Sequence, residues 1–125
     1  MKRRKLWKRE PDASDFAAAA SYLSLLCGHG HAQALVRRLR HLNAVEYAAK
    51  DLLRASGLAL LPRGESHVEE DLKRIRKRKP LSPVLLVQGD MKRGLPLWVA
   101  DGYHRICAVY HHDEDAPIAC RIVSL

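Results

Sequence analysis

The residues best suited to chemistry stand together in WVADGYHRICAVYHH, residues 98–112: a carboxylate at Asp101, a glycine at Gly102, a phenol at Tyr103, an imidazole at His104 and a guanidinium at Arg105. An apolar, strand-like run precedes them and a run with helical spacing follows. A strand that turns through glycine into a helix brings unpaired backbone N–H groups and the positive helix end to one point, which suits an anion. Gly102 permits the tight turn and close approach by a phosphate. In the first turn of that helix, His104 and Arg105 add an imidazole and a planar fork of donors, both able to make charged hydrogen bonds to phosphate oxygens. Asp101 has two open roles, as helix N-cap or as a carboxylate that helps hold a metal beside a nucleotide. The plainer alternative makes Asp101 only a cap and Arg105 half of a surface ion pair.

A site of this kind needs elements that position it. Asp12, Ser14 and Asp15 offer capping chemistry, and Phe16, Ala19, Leu23, Leu26 and Cys27 recur at helical spacing up to Gly28. A second helix is predicted from near His31, with Ala32, Leu35, Val36, Leu39 and Leu42 on its apolar face. Together they form a helical hairpin over residues 12–43 closed by GHG. From residue 44 the period changes. Val45, Tyr47 and Ala49 alternate as a short strand, and DLLRASG makes a short helix stopped by Gly57. Ser66 and Glu69 match a capping box that opens a helix with Val68, Leu72 and Ile75 on its buried stripe. Pro80 and Pro83 follow as stops. VLLVQ is a buried strand, GDMKRG a turn and PLWVA a second strand, so the two pair as a hairpin. The helix after DGYHR and a last strand, with Ile118, Cys120 and Ile122 on one side, complete a β-α-β-β-α-β order over residues 44–125. The fold class is α+β.

Length and composition agree with one domain: 125 residues, 47% of them hydrophobic. Lys and Arg number 22 against 14 Asp and Glu, a formal charge of +8, which suits phosphate-bearing partners and equally a solvated basic surface. Three cysteines form no CxxC pair, so neither a disulfide framework nor a zinc ribbon is predicted and a reducing cytoplasm fits. Asp15 interrupts the apolar segment after the basic start. No signal peptide and no membrane helix are expected.

The run LSPVLLVQGD…LPLWVADGYHRICAVYHHDEDAPIACRIV, with DLLRASGL and HVEEDLKRIR before it, resembles the core of the ParB/sulfiredoxin superfamily, most closely its small stand-alone bacterial members. That resemblance implies a nucleotide-binding core in which Gly102 forms the turn and His104 and Arg105 bind phosphates, with Tyr103 between them. It also implies that the helix opened by SHVEED faces the nucleotide, making Glu70 and Arg74 further contributors. Two departures matter. Sulfiredoxins carry a reactive cysteine where this chain has Tyr103, so sulfinic acid reduction is not expected. The helix-turn-helix segment of partition proteins does not follow residue 125, and neither centromere binding nor clamp sliding is expected.

Two basic clusters make nucleic acid a second candidate partner: residues 2–9, with Arg3, Arg4 and Lys5 around Trp7 in a tail over residues 1–11, and Lys73, Arg76 and Lys77 with their basic neighbours on one helix. No metal site is assigned. Cys27, His29 and His31 lack tetrahedral spacing, and His111 and His112 match a helix C-terminus. A nucleophilic enzyme fits poorly, because no G-x-S-x-G is present and Cys107 has no evident base. The expected function is binding of a nucleotide or another phosphate ligand at DGYHR. Mg²⁺ would be the cofactor of any phosphoryl transfer or hydrolysis, with Asp101 and Glu70 as candidate catalytic carboxylates. The alternative is a non-catalytic nucleic-acid-binding or effector module. The apolar stripes of the hairpin must pack either on the chain's own sheet or on a second copy, in a homodimer.

Overall fold

Two apolar stripes and a glycine between them start the architecture. In the computed structural model, which describes residues 6–125, helix α1 (Ala13–Cys27) and helix α2 (His29–His41) meet at Gly28, whose φ of 85° ends one helix and admits the next. The hairpin is thus closed by Gly28 alone, and His29 already belongs to α2. Phe16, Ala19 and Leu23 are buried on α1, and Ala32, Leu35, Val36 and Leu39 on α2. The stripe stops earlier than its spacing suggests. Leu26 is half exposed, because the end of α1 projects beyond the sheet-facing stripe.

The chain continues through β1 (Val45–Ala48), α3 (Ala49–Ser56), α4 (Ser66–Arg76), β2 (Val84–Val87), a 3₁₀ turn (Met91–Arg93), β3 (Trp98–Asp101), α5 (Tyr103–His112) and β4 (Pro117–Val123). Strand order is β1-β4-β2-β3, with β2 parallel to β4 and both other pairs antiparallel. The mixed α+β class is therefore observed, with two helices in the first connection. Leu86 pairs with Val99 and Leu85 with Asp101, so Ala100 is the extra residue of a bulge just before the DGYHR turn.

Both faces of the sheet are covered. On one, Val84, Leu86, Ile118 and Cys120 pack with Val68, Leu72 and Ile75 of α4 and Ile106 and Val109 of α5. On the other, Leu85, Val87, Ala100 and Val123 pack with Phe16, Leu23, Leu35 and Leu39 of the helical hairpin. The hairpin thus buries its stripes against its own sheet. For the same reason β4 is buried on both sides, Ala119, Arg121 and Val123 included, where alternation predicted a single buried side. β1 differs in the opposite direction: Val45 and Tyr47 are exposed on an edge strand, and Ala49 opens α3.

Two further local expectations are corrected. The N-cap of α4 is Glu65, whose carboxylate accepts from the His67 and Val68 N–H groups at 3.1 and 3.0 Å, so Ser66 and Glu69 form no capping box. Residues 6–11, expected within a tail, are docked. Leu81 N–H donates to Leu6 O and Lys8 N–H to Leu81 O, each at 2.7 Å, while the Trp7 indole donates to Pro117 O at 2.9 Å. Trp7 is therefore docked, half-buried, against the core instead of lying in a free tail. Glu10 binds the buried Arg121 guanidinium, which also donates to Leu39 O and Arg40 O at 3.1 and 3.0 Å. Arg3, Arg4 and Lys5 lie outside the described residues.

Candidate functional site

The bulge at Ala100 and the turn at Gly102 aim the end of β3 into a cleft between the N-terminal turns of α4 and α5. Gly102 is the N-cap of α5, with φ 113°. A Cβ there would lie 2.4 Å from Val84 Cγ1, so no other residue fits this backbone. The space left by the missing side chain is filled by Val84. Glycine is thus required by packing against Val84. No side chain caps α5, and its first-turn N–H groups precede the first intrahelical bond, from Ile106 N–H to Gly102 O. Asp101, a candidate cap, points elsewhere.

It points to Arg105. The guanidinium donates from Nη2 to Asp101 Oδ2 at 2.8 Å and from Nη1 to Asp15 Oδ1 at 3.3 Å and Ser82 Oγ at 2.8 Å. Arg105 is half of no surface pair. Its side chain is 15% exposed, with Asp15 at 10% and Asp101 at 19%, so three of its five N–H groups are committed inside the protein. The two carboxyls share one guanidinium and titrate apart. Burial pushes Asp101 up to about 6 despite Arg105, and the neighbouring Asp15 charge adds to the rise. Burial acts on Asp15 too, but the Ser82 hydrogen bond and the Arg105 charge outweigh it and hold Asp15 below the usual range.

His67, Glu70, Asp71, Asp101, Gly102, His104 and Arg105 line the cleft, which has a volume of about 190 Å³. Asp71 is raised by burial, against the pull of Arg105, His104, Arg74 and His67. At the mouth, Glu65 stands between two imidazoles: Oε1 is 3.0 Å from His67 Nδ1 and Oε2 is 3.7 Å from His104 Nε2. The N–H of His67, then that of Val68, and the facing imidazoles hold the Glu65 carboxyl down to about 2. Carboxylates therefore outnumber the cations that face this cleft. A bare anion is repelled here, whereas a divalent cation, or a phosphate that brings one, is attracted.

Of the residues singled out from sequence, Asp101, Gly102, His104, Arg105 and Glu70 are brought together. Tyr103 is not, because its hydroxyl donates to Ala59 O in the α3–α4 connection. Arg74 is turned out of the cleft, donating to Pro80 O at 3.2 Å. Glu65, His67, Asp71, Asp15 and Ser82 were missed. The i,i+4 spacing of His67 and Asp71 was a usable signal for one face of α4. Asp15, 90 residues from Arg105 in sequence, had none.

Other candidates resolve simply. Lys73, Arg76 and Lys77 are exposed on α4 and the turn after it, and none forms an ion pair among the described residues. His111 donates from Nε2 to Leu61 O at 2.7 Å and is structural. Cys107 and Cys120 are fully buried, and burial raises both thiols, Cys120 to about 12. A larger groove of about 760 Å³ lies beside β1 and α3, lined by Leu42, Val45, Tyr47, Leu52, Leu97 and Ile122 among others; its charged lining is the exposed Asp51–Arg54 pair, so the concentration of titratable groups is in the smaller cleft. No helix of the described residues is long and apolar enough to cross a membrane. No family model, no curated protein and no solved structure matches this chain.

Proposed function

We propose that this chain is a ParB/sulfiredoxin-like domain that binds the phosphates of a nucleotide, or of another phosphate compound, together with Mg²⁺ at the DGYHR turn. The observation that carries the proposal is the uncapped first turn of α5 opening into a cleft walled by Glu70, Asp71 and Asp101. Helix N–H groups supply donors for phosphate oxygens, and the carboxylates supply oxygen ligands for the cation that neutralises them. The order β-α-α-β-β-α-β around a four-stranded mixed sheet is compatible with the resemblance. At about 190 Å³ the cleft accommodates phosphates rather than a whole nucleotide, so the base lies outside it. Phosphoryl transfer or nucleotide hydrolysis is the reaction such a site would serve, with Asp101 and Glu70 as the carboxylates to test.

Calorimetric titration with ATP, CTP, GTP and ADP, each with and without Mg²⁺, tests the proposal. Saturable binding that requires Mg²⁺ and is lost in Glu70→Ala is the expected result. Glu70 is exposed, so its removal spares the fold. Arg105→Ala is a poor probe by itself, because it leaves Asp15 and Asp101 buried without their cation. No binding to any of the four would remove the nucleotide reading, and binding indifferent to Glu70 would sink the site assignment.

One observation favours a second reading, a nucleic-acid-binding module: the exposed stripe of Lys73, Arg76, Lys77, Arg78 and Lys79. It predicts retention of random duplex DNA that weakens steeply with salt, and a shallower salt dependence when Lys73, Arg76 and Lys77 are changed to Ala. Retention unaffected by those changes would exclude this face.

A further inference from the structure

We propose a binding site for a divalent transition metal of the zinc class, formed by Glu65, His67 and His104 where the first turns of α4 and α5 meet. One carboxylate oxygen and one nitrogen of each imidazole lie within 4.8 Å of one another. Ligand atoms about a tetrahedral zinc, with bonds of ~2.0–2.1 Å, stand ~3.3 Å apart. His67 Nδ1 stands 3.0 Å from Glu65 Oε1 and His104 Nε2 stands 3.7 Å from Oε2, so each imidazole meets its own carboxylate oxygen and side-chain rotation is what would bring one oxygen and both nitrogens onto a single ion. The two rings already face one another, with centroids 4.6 Å apart and planes inclined by 37°.

The carboxylate is anchored before any metal arrives. Its oxygens accept from the His67 and Val68 N–H groups, and an ionised carboxylate has about four lone-pair sites, enough to cap α4 and ligate at once. Two imidazoles and one carboxylate favour zinc, cobalt, nickel or iron over magnesium, which prefers oxygen ligands alone. The His67 and His104 side chains are 71% and 43% exposed, so the remaining coordination positions face solvent. Three protein ligands with an open position are the pattern of a reactive zinc site and not of a closed structural one. Asp71, one helical turn after His67, adds negative charge behind the pair.

His67 and His104 also line the cleft of the nucleotide assignment, but the metal alone is the probe and Glu65 has no part in that assignment, so the two are tested separately. The chelator-treated full chain would be titrated calorimetrically with Zn²⁺, and with Co²⁺ while visible ligand-field absorption is followed. One equivalent is expected to bind and to raise the unfolding temperature. His67→Ala and His104→Ala should each weaken binding by ~100-fold or more and abolish the thermal shift while leaving the metal-free unfolding temperature in place. His29→Ala with His31→Ala should change nothing. No saturable binding, or binding that survives both His67→Ala and His104→Ala, would overturn the site. Zinc binding without nucleotide binding would separate this inference from the phosphate proposal, and the converse would separate them equally.

Discussion

Asp15 and Asp101 share one guanidinium, yet their surroundings drive their proton affinities in opposite directions. Asp101, raised to about 6 by burial, keeps a proton in the folded protein that the unfolded chain releases near its ordinary value of 3.8. Its contribution to stability is therefore complete at low pH and is lost as pH rises through about 6. Asp15, held below the usual range against the effect of burial, has the opposite sign, with a contribution present above about pH 4 and lost on acidification. Asp101→Asn removes the first effect while keeping an oxygen for Arg105. Urea unfolding should accordingly show the variant gaining on the wild type between about pH 4 and pH 6 and levelling off above that, and parallel curves would show that Asp101 is already ionised. At this scale the sequence disclosed whatever was contiguous. Gly102, His104 and Arg105 lie in one short run, whereas Ser82 and Asp15 reach Arg105 only through the fold, across 23 and 90 residues.

The strand-to-helix junction depends on one residue without a side chain. Gly102→Ala would place a methyl 2.4 Å from Val84 Cγ1 at a φ of 113°, combining backbone strain with overpacking. A loss of ~2–4 kcal/mol is expected from chemical unfolding, together with displacement of Asp101 from Arg105. A neutral Gly102→Ala would mean that β3 can shift without cost. The buried stripe of α4 was legible because Val68, Leu72 and Ile75 repeat at helical spacing and face a real sheet. Its cap was not. Serine is the commoner N-cap, but the longer Glu65 side chain reaches two N–H groups from one position earlier. β1 misled for a different reason: alternation implies a buried face, and an edge strand with Val45 and Tyr47 in solvent has little to bury.

Across the whole molecule, the hairpin is a third layer and not an appendage. VLLV at β2 has all four residues buried, which only a sheet covered on both faces allows. That run announced two coverings, and the apolar stripes of residues 12–43 announced one of them. Whether they came from the same chain or a second copy was open until Leu35 and Leu39 were seen packed with Leu85, Val87 and Val123. Leu39→Ala should therefore cost ~2–5 kcal/mol in the unfolding of the entire protein, in a single cooperative transition. Separate unfolding of the hairpin would refute the three-layer core. Arg121, fastened to Glu10, Leu39 O and Arg40 O, links the N-terminal segment and the hairpin to the central strand.

The two enclosed cysteines give this architecture a clock. Cys107 and Cys120 sit fully buried on α5 and β4 with raised thiol pKa values, whereas Cys27 is only partly covered. Alkylation requires a thiolate within reach of the reagent. A native sample should consume one equivalent of iodoacetamide promptly and two more only as fast as the layers separate. The slow phase is then a direct count of how often the interior opens, and it should quicken in Leu39→Ala. Prompt modification of all three thiols would show an interior that opens faster than the reagent reacts.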